Sequence, residues 1–74
     1  MMAYSIIKKT WFHGYKTIKI FLKEYQLYHY IYDLKFEDIF DELILDHKTG
    51  NISSVCKFMS YNQGYKEYYK KMGN

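Results

Sequence analysis

The chain lacks arginine and proline, and it contains a single cysteine. One cysteine cannot close an internal disulfide, so the domain must fold without this cross-link, as is usual in a reducing compartment. Without arginine there are no guanidinium groups to read guanine or clamp phosphates, although lysine can still attract anions diffusely. These absences argue against a disulfide-stabilised secreted domain and against arginine-dependent reading of duplex DNA.

Long apolar runs are also missing. No stretch approaches the roughly 18 apolar residues that span a membrane, and residues 1–7 lack the charged start and apolar core of a signal peptide. We therefore expect a cytoplasmic protein with no membrane partner. The abundant lysine, tyrosine, isoleucine and phenylalanine have AT-rich codons, which points to an AT-rich genome such as that of a phage, and then to the host cytoplasm.

The length of the chain limits it to one compact domain, residues 1–74. A domain of this size buries only about 60% of the surface that its unfolded chain exposes, so its stability should be modest. Because 49% of the residues are hydrophobic and 22% are aromatic, the composition is that of a folded globule rather than a disordered chain.

The first part of the chain predicts a β-hairpin. Two β-rich runs, residues 4–12 and 15–23, flank His13-Gly14, where glycine can adopt the positive φ of a tight turn. Pairing about that turn places Ile7 opposite Ile20. Neither face of this hairpin is cleanly polar, so the pattern does not decide which one is buried.

The next segment, residues 25–35, reads YQLYHYIYDLK and is unusually rich in tyrosine. Its alternation favours a third strand over residues 25–32, with Tyr28, Tyr30 and Tyr32 in a row on one face. A helix over residues 17–32 is the rival interpretation.

The second half of the chain predicts two helices around another hairpin. Helical spacing indicates an amphipathic helix over residues 34–43, with Asp33 as its N-cap, and a capping box from Ser60 to Gln63 precedes a helix over residues 61–72. Between them, residues 43–46 and 52–59 flank a polar loop in which Gly50 takes a left-handed conformation. The expected fold is therefore α+β, a small antiparallel sheet of two hairpins and an extra strand, covered by one or two helices.

Catalytic and metal chemistry find little support in the sequence. The histidines and Cys56 are scattered, and the one conceivable zinc or nucleophile site combines Asp46, His47 and Cys56 on the second hairpin. A polar loop beside a buried small thiol is the preferred interpretation of these residues. We expect no enzyme activity, no cofactor and no metal.

Tyrosine content instead suggests a binding protein. Ten tyrosines exceed what so small a core can bury, and exposed phenols are enriched in protein interfaces. We expect Tyr28, Tyr30 and Tyr32 to contact a protein partner, so that the chain acts as a small binding or inhibitor protein, with homodimerisation through the same face as an open alternative. Candidate electrostatic contacts are Lys8, Lys19, Glu37, Asp38, Asp41 and Glu42.

The runner-up function is single-stranded nucleic-acid binding, in which lysines attract phosphates and tyrosines stack on bases. The residues that would serve it lie on the predicted sheet: Lys8, Lys16, Lys19, Lys23, Tyr4, Tyr15, Tyr28 and Tyr30.

Overall fold

A computed structural model of the chain describes residues 3–12 and 14–73. The elements in chain order are β1 Tyr4–Lys9, β2 Tyr15–Phe21, α1 Glu24–Tyr32, α2 Phe36–Ile39, β3 Glu42–Asp46, β4 Ile52–Ser54, α3 Val55–Tyr61 and α4 Gln63–Gly73. The four strands form one antiparallel sheet in the order β2-β1-β3-β4, and together with the helices they confirm the predicted α+β fold.

The first hairpin forms where the sequence predicts it, but with a different register. Ile7 lies opposite Thr17 rather than Ile20, and a bulge falls between the partners of Ile6 and Ile7. The strands are joined by five residues, 10–14, because the Thr10 N–H donates to the Gly14 carbonyl at 2.6 Å and closes a longer loop than the two-residue turn expected. Gly14 has the positive φ, 78°, that the turn needs, while His13 lies outside the described residues.

The tyrosine-rich segment is helix α1, so the prediction of a third strand over residues 25–32 is wrong. Leu27 and Ile31, four positions apart, are both buried, and this spacing puts them on the same side of a helix. The rival helix is correct from Glu24 onward. Its first residues, 17–21, belong instead to β2.

The predicted helix over residues 34–43 is reduced to the single turn of α2, and Glu42 already belongs to β3. Strand pairing explains the difference, because Ile44 lies opposite Ile6 at the centre of the sheet and both are almost fully buried. Asp33 caps the end of α1 rather than the start of α2. Helical spacing in this segment therefore does not mark a buried helix face.

The second hairpin uses Gly50 in a left-handed conformation, φ 78°, as predicted. Its second strand ends at Ser54 instead of continuing to residue 59, because the Ser54 hydroxyl caps α3 by accepting the Lys57 N–H at 3.1 Å. The predicted C-terminal helix is present as α4. Its cap is Asn62, whose side-chain oxygen accepts the Tyr65 N–H at 2.8 Å, rather than Ser60.

All the larger helices pack on one face of the sheet. The Cα atoms extend over 42 × 30 × 18 Å, and a short dimension of 18 Å holds two layers but not three, since packed layers lie about 10 Å apart. The core between the layers consists of Tyr4, Ile6, Phe21, Leu27, Tyr28, Ile31, Ile44, Val55, Phe58 and Tyr65.

Candidate interaction surface

The opposite face of the sheet is apolar and carries no helix layer. Strand alternation and register place its side chains together. We call it the open sheet face, and it consists of Ser5, Ile7, Thr17, Ile20, Leu43, Leu45 and Ile52. Ile7 is 3% exposed yet stands outside the helix-covered core, whereas Ile20 is 58% exposed. Antiparallel sheets usually present polar residues to water on an uncovered face, whereas this one presents five aliphatic side chains beside Ser5 and Thr17.

The polar boundary of the open sheet face is fixed by a hydrogen bond. The hydroxyl of Ser5, which is buried, and Nε2 of His47 share a hydrogen bond of 2.6 Å. The backbone N–H of His47 also donates to the Ala3 carbonyl at 3.0 Å. The imidazole is therefore held against the edge of the apolar surface.

The charge of the open sheet face is positive. The carboxylates of the four strands are Glu42 and Asp46, and both lie in register with helix-face residues of β1. Lys9, which pairs with Tyr15, continues the open sheet face at the hairpin end. A partner that covers this surface would thus meet aliphatic side chains and a lysine but no strand carboxylate.

The loop of the first hairpin exposes two aromatic side chains. Trp11 is 91% exposed and Phe12 is 74% exposed, and their ring centroids lie 4.7 Å apart. We call these two residues the aromatic tip. Neither residue of the aromatic tip is among the predicted site residues, although two adjacent aromatic residues before a glycine turn indicate an exposed loop.

The three tyrosines expected to bind a partner do not form one exposed row. Tyr28 is buried and its hydroxyl donates to Glu24 Oε2 at 3.1 Å, while Tyr30 is half-buried and donates to Glu42 Oε1 at 2.6 Å. Burial and the hydrogen bonds to these carboxylates raise the pKa of both phenols above the ordinary value. Both hydroxyls are engaged within the fold.

Tyr32 lies on the same side of α1 as Tyr28 and is also half-buried. Its ring centroid lies 6.2 Å from that of Tyr68 and 5.6 Å from that of Tyr69 on α4. These tyrosines join α1 to α4, so aromatic contacts between helices account for much of the tyrosine content.

The two lysines expected to make electrostatic contacts are both on the first hairpin. Lys8 is half-buried and lies in register with Lys16 on one side and Glu42 on the other. Lys19 is exposed, and its Nζ lies 5.5 Å from the centroid of the Phe21 ring. The hairpin therefore places two cations along the same strand pair.

The four acidic residues do not form the continuous helix face that was predicted. Helix α2 ends at Ile39, so Glu37 is exposed on α2 while Asp41 is exposed in the turn that follows it. Asp38 is half-buried, and Glu42 is buried in β3. The acidic surface expected here is thereby divided.

Of the residues considered for metal binding or nucleophilic catalysis, two form hydrogen bonds within the fold and the third is exposed. His47 bonds to Ser5, Asp46 Oδ1 accepts the Lys48 N–H at 2.9 Å, and Cys56 is an exposed thiol on α3. Residues 3–12 and 14–73 hold no group of three or more His, Cys, Asp or Glu side chains that could bind a metal.

No protein-family description, curated protein or solved structure matches this chain. Across the part of the chain that the structure describes, no helix has both the length and the apolar character to cross a bilayer.

Proposed function

We propose that this protein is a small non-enzymatic binding protein, acting as an inhibitor or adaptor inside the cell, whose open sheet face covers an apolar surface on a larger protein. The observation that carries the proposal is the aliphatic character of that uncovered face. Removing apolar side chains from water is the main favourable contribution to association. A half-covered sheet in a small domain provides such a surface without any conformational change.

The flatness of the face suits a protein partner. Ile20 and Ile52 are 58% and 43% exposed, and they stand on the two edge strands, with Ile7 buried between them. The accessible aliphatic groups thus border a closed centre. Broad, shallow apolar surfaces of this kind are typical of protein interfaces.

A different protein fits the surface better than a second copy. Two copies placed face to face would both contribute Lys9, while Glu42 and Asp46 lie on the helix side of each sheet. The lysines would then find no strand carboxylate across the interface. A partner whose apolar patch is bordered by carboxylates would provide the complementary charge.

The proposed interface lies on the open sheet face, whereas the sequence predicted an interface on the tyrosines of α1. Tyr15, 51% exposed and paired with Lys9, is the tyrosine that borders the open sheet face. Of the tyrosines considered for base stacking, Tyr4 and Tyr28 are buried, which removes half of that platform. Protein binding is therefore preferred to single-stranded nucleic-acid binding.

The test begins with affinity capture by the full chain from nuclease-treated lysate, followed by titration of the purified partner. Ile20→Ser should weaken binding about tenfold or more, because an exposed isoleucine that becomes buried contributes roughly 1.5–3 kcal/mol. Met72→Ser is the matched control, since Met72 is 47% exposed on α4, away from the open sheet face. It should change the affinity less than about twofold.

Circular dichroism and thermal unfolding would verify that both variants remain folded. Equal affinities for wild type and Ile20→Ser would refute the role of the open sheet face. Partners that disappear after nuclease treatment, together with tight oligonucleotide binding that falls steeply with salt, would favour the nucleic-acid alternative.

A further inference from the structure

We propose that the aromatic tip, together with the lysines behind it, is a site that binds anionic lipid surfaces. This interaction differs from the binding of a protein by the open sheet face, although Lys9 borders both surfaces. The expectation of no membrane partner rested on the absence of a spanning segment, and a hairpin loop that inserts only into the interface needs no such segment.

The tip is a built loop, since two hydrogen bonds close its base. The Thr10 N–H and the Thr10 hydroxyl both donate to the Gly14 carbonyl, at 2.6 and 3.0 Å, and Gly14 adopts a φ of 78°. Trp11 and Phe12 are thereby held outside the sheet, with their rings in contact at 4.7 Å. The result is one convex apolar knob.

The lysines lie directly behind this knob. Lys9 is the last residue of β1, and the next cross-strand pair brings Lys8 opposite Lys16. Within residues 3–12 and 14–73, none of these three lysines forms an ion pair. Strands rise about 3.3 Å per residue, so the three lysines begin within about 7 Å of the loop.

Directly opposed lysines repel each other, and Glu42 of β3, which faces Lys8 from the other side and accepts the Tyr30 hydroxyl through Oε1, is one carboxylate beside these cations. Residues 1–23 contain five lysines and no acidic residue. An external anion would relieve this repulsion. The charge therefore specifies an anionic partner.

The order of the aromatic rings and the lysines along the hairpin favours lipid over other anionic partners. In a membrane the anionic headgroups lie above the apolar chains, and tryptophan is enriched at the boundary. Here the rings lie in the loop at the end of the hairpin and the cations lie on the strands behind it, in the same order. Nucleic acid fits less well, because the two rings pack against each other instead of offering separate platforms for successive bases, and the chain has no arginine.

The test uses the intrinsic fluorescence of the full chain, because Trp11 is its one tryptophan. Vesicles of mixed phosphatidylserine and phosphatidylcholine should shift the emission of Trp11 to shorter wavelength and sediment the protein, and added salt should weaken both effects. Pure phosphatidylcholine vesicles should have a much smaller effect. No emission shift with the anionic vesicles would overturn the proposal.

Variants that retain Trp11 as the fluorescent probe then separate the apolar contribution to vesicle binding from the electrostatic one. Phe12→Ser should weaken vesicle binding about tenfold through lost apolar burial. The double variant Lys8→Gln/Lys16→Gln should weaken it about 25-fold, or roughly fivefold for each lysine near an anionic surface.

Lys66→Gln/Lys70→Gln on α4 is the matched control for charge and should change binding less than about twofold. An equal loss in this control would show diffuse attraction by the whole protein and overturn the proposal. So would an emission shift produced by an oligonucleotide at the same salt and stronger than that produced by vesicles. Ile20→Ser should leave vesicle binding unchanged, so the lipid site and the protein-binding face can fail independently.

Discussion

Gly64, the second residue of α4, should resist substitution by alanine. A Cβ at this position would overlap the Tyr28 hydroxyl and lie 3.1 Å from Cζ of the same ring. The ring has little freedom to retreat, because it is 7% exposed and packs against Phe58 and Tyr65 with centroid distances of 6.3 and 5.9 Å. Gly64 thus lets α4 approach α1 closely.

Two opposing effects set the size of the change. Alanine is better than glycine in a helix by up to about 1 kcal/mol, and overpacking a close contact costs about 1–3 kcal/mol. Because the neighbour is a confined ring, the steric cost should dominate, and Gly64→Ala should lower the free energy of unfolding by about 1–2 kcal/mol. In a domain of this size each kcal/mol corresponds to about 4–8 °C in Tm.

Urea and thermal unfolding would measure this change, with two controls. Gly73→Ala makes the same substitution at the end of α4, where an added Cβ meets no atom within 4 Å, and should be neutral or slightly stabilising. Tyr28→Phe loses the hydrogen bond to Glu24 at a cost of about 0.5–1.5 kcal/mol and also removes the overlapping oxygen. The Tyr28→Phe/Gly64→Ala double variant should therefore lose less stability than the sum of the single variants. An unchanged Tm for Gly64→Ala, or strict additivity in the double variant, would refute the reasoning.

Two further predictions concern the caps and the tyrosines. Asn62→Ala should cost about 1 kcal/mol in urea unfolding because it leaves the Tyr65 N–H without its acceptor, whereas Ser60→Ala should be close to neutral, since that hydroxyl donates within α3. Because burial raises the pKa of Tyr28 and Tyr30 above the ordinary 10.0, the unfolded state should lose these protons first as pH rises, and the free energy of unfolding should fall above about pH 10. Tyr28→Phe/Tyr30→Phe should reduce this alkaline slope in unfolding titrations; a slope unchanged in that variant would contradict the assignment.

Both hairpins could be predicted from the sequence because their signals are local. Gly14 and Gly50 adopt the positive φ that their turns require, and the flanking residues have high β-propensity. The register of the first hairpin could not be predicted in the same way. It depends on the loop-closing bond from Thr10 to Gly14 and on a bulge, and neither leaves a clear trace in the residue pattern.

The strand predicted at residues 25–32 failed because tyrosines at alternating positions are also compatible with a helix. Leu27 and Ile31 at a spacing of four carry the helical signal, and both are buried. The helix predicted at residues 34–43 failed for the opposite reason. Phe36 and Phe40 have helical spacing but remain 76% and 68% exposed, since the following residues are recruited to the sheet by β1.

The open sheet face could not be predicted from the sequence, because part of β3 has helical spacing. Its contribution from β3 lay in a segment assigned partly to a helix, so Leu43 was counted with the helical residues rather than with Leu45 and Ile20. Which face of the first hairpin is buried depends on where α1, α3 and α4 dock. That choice is made by tertiary packing, which periodicity within a hairpin does not encode.

The bulge in the first hairpin determines how this molecule can associate with others. β2 is an edge strand, and its free backbone groups could template another strand in the manner of amyloid growth. Ile18 has no partner residue on β1, and this bulge increases the local twist of β2. Lys16 and Lys19 place positive charge on either side of Ile18. An incoming strand would lose hydrogen bonds at the bulge and meet two cations, so the aliphatic face can remain exposed without the sheet polymerising along the β2 edge.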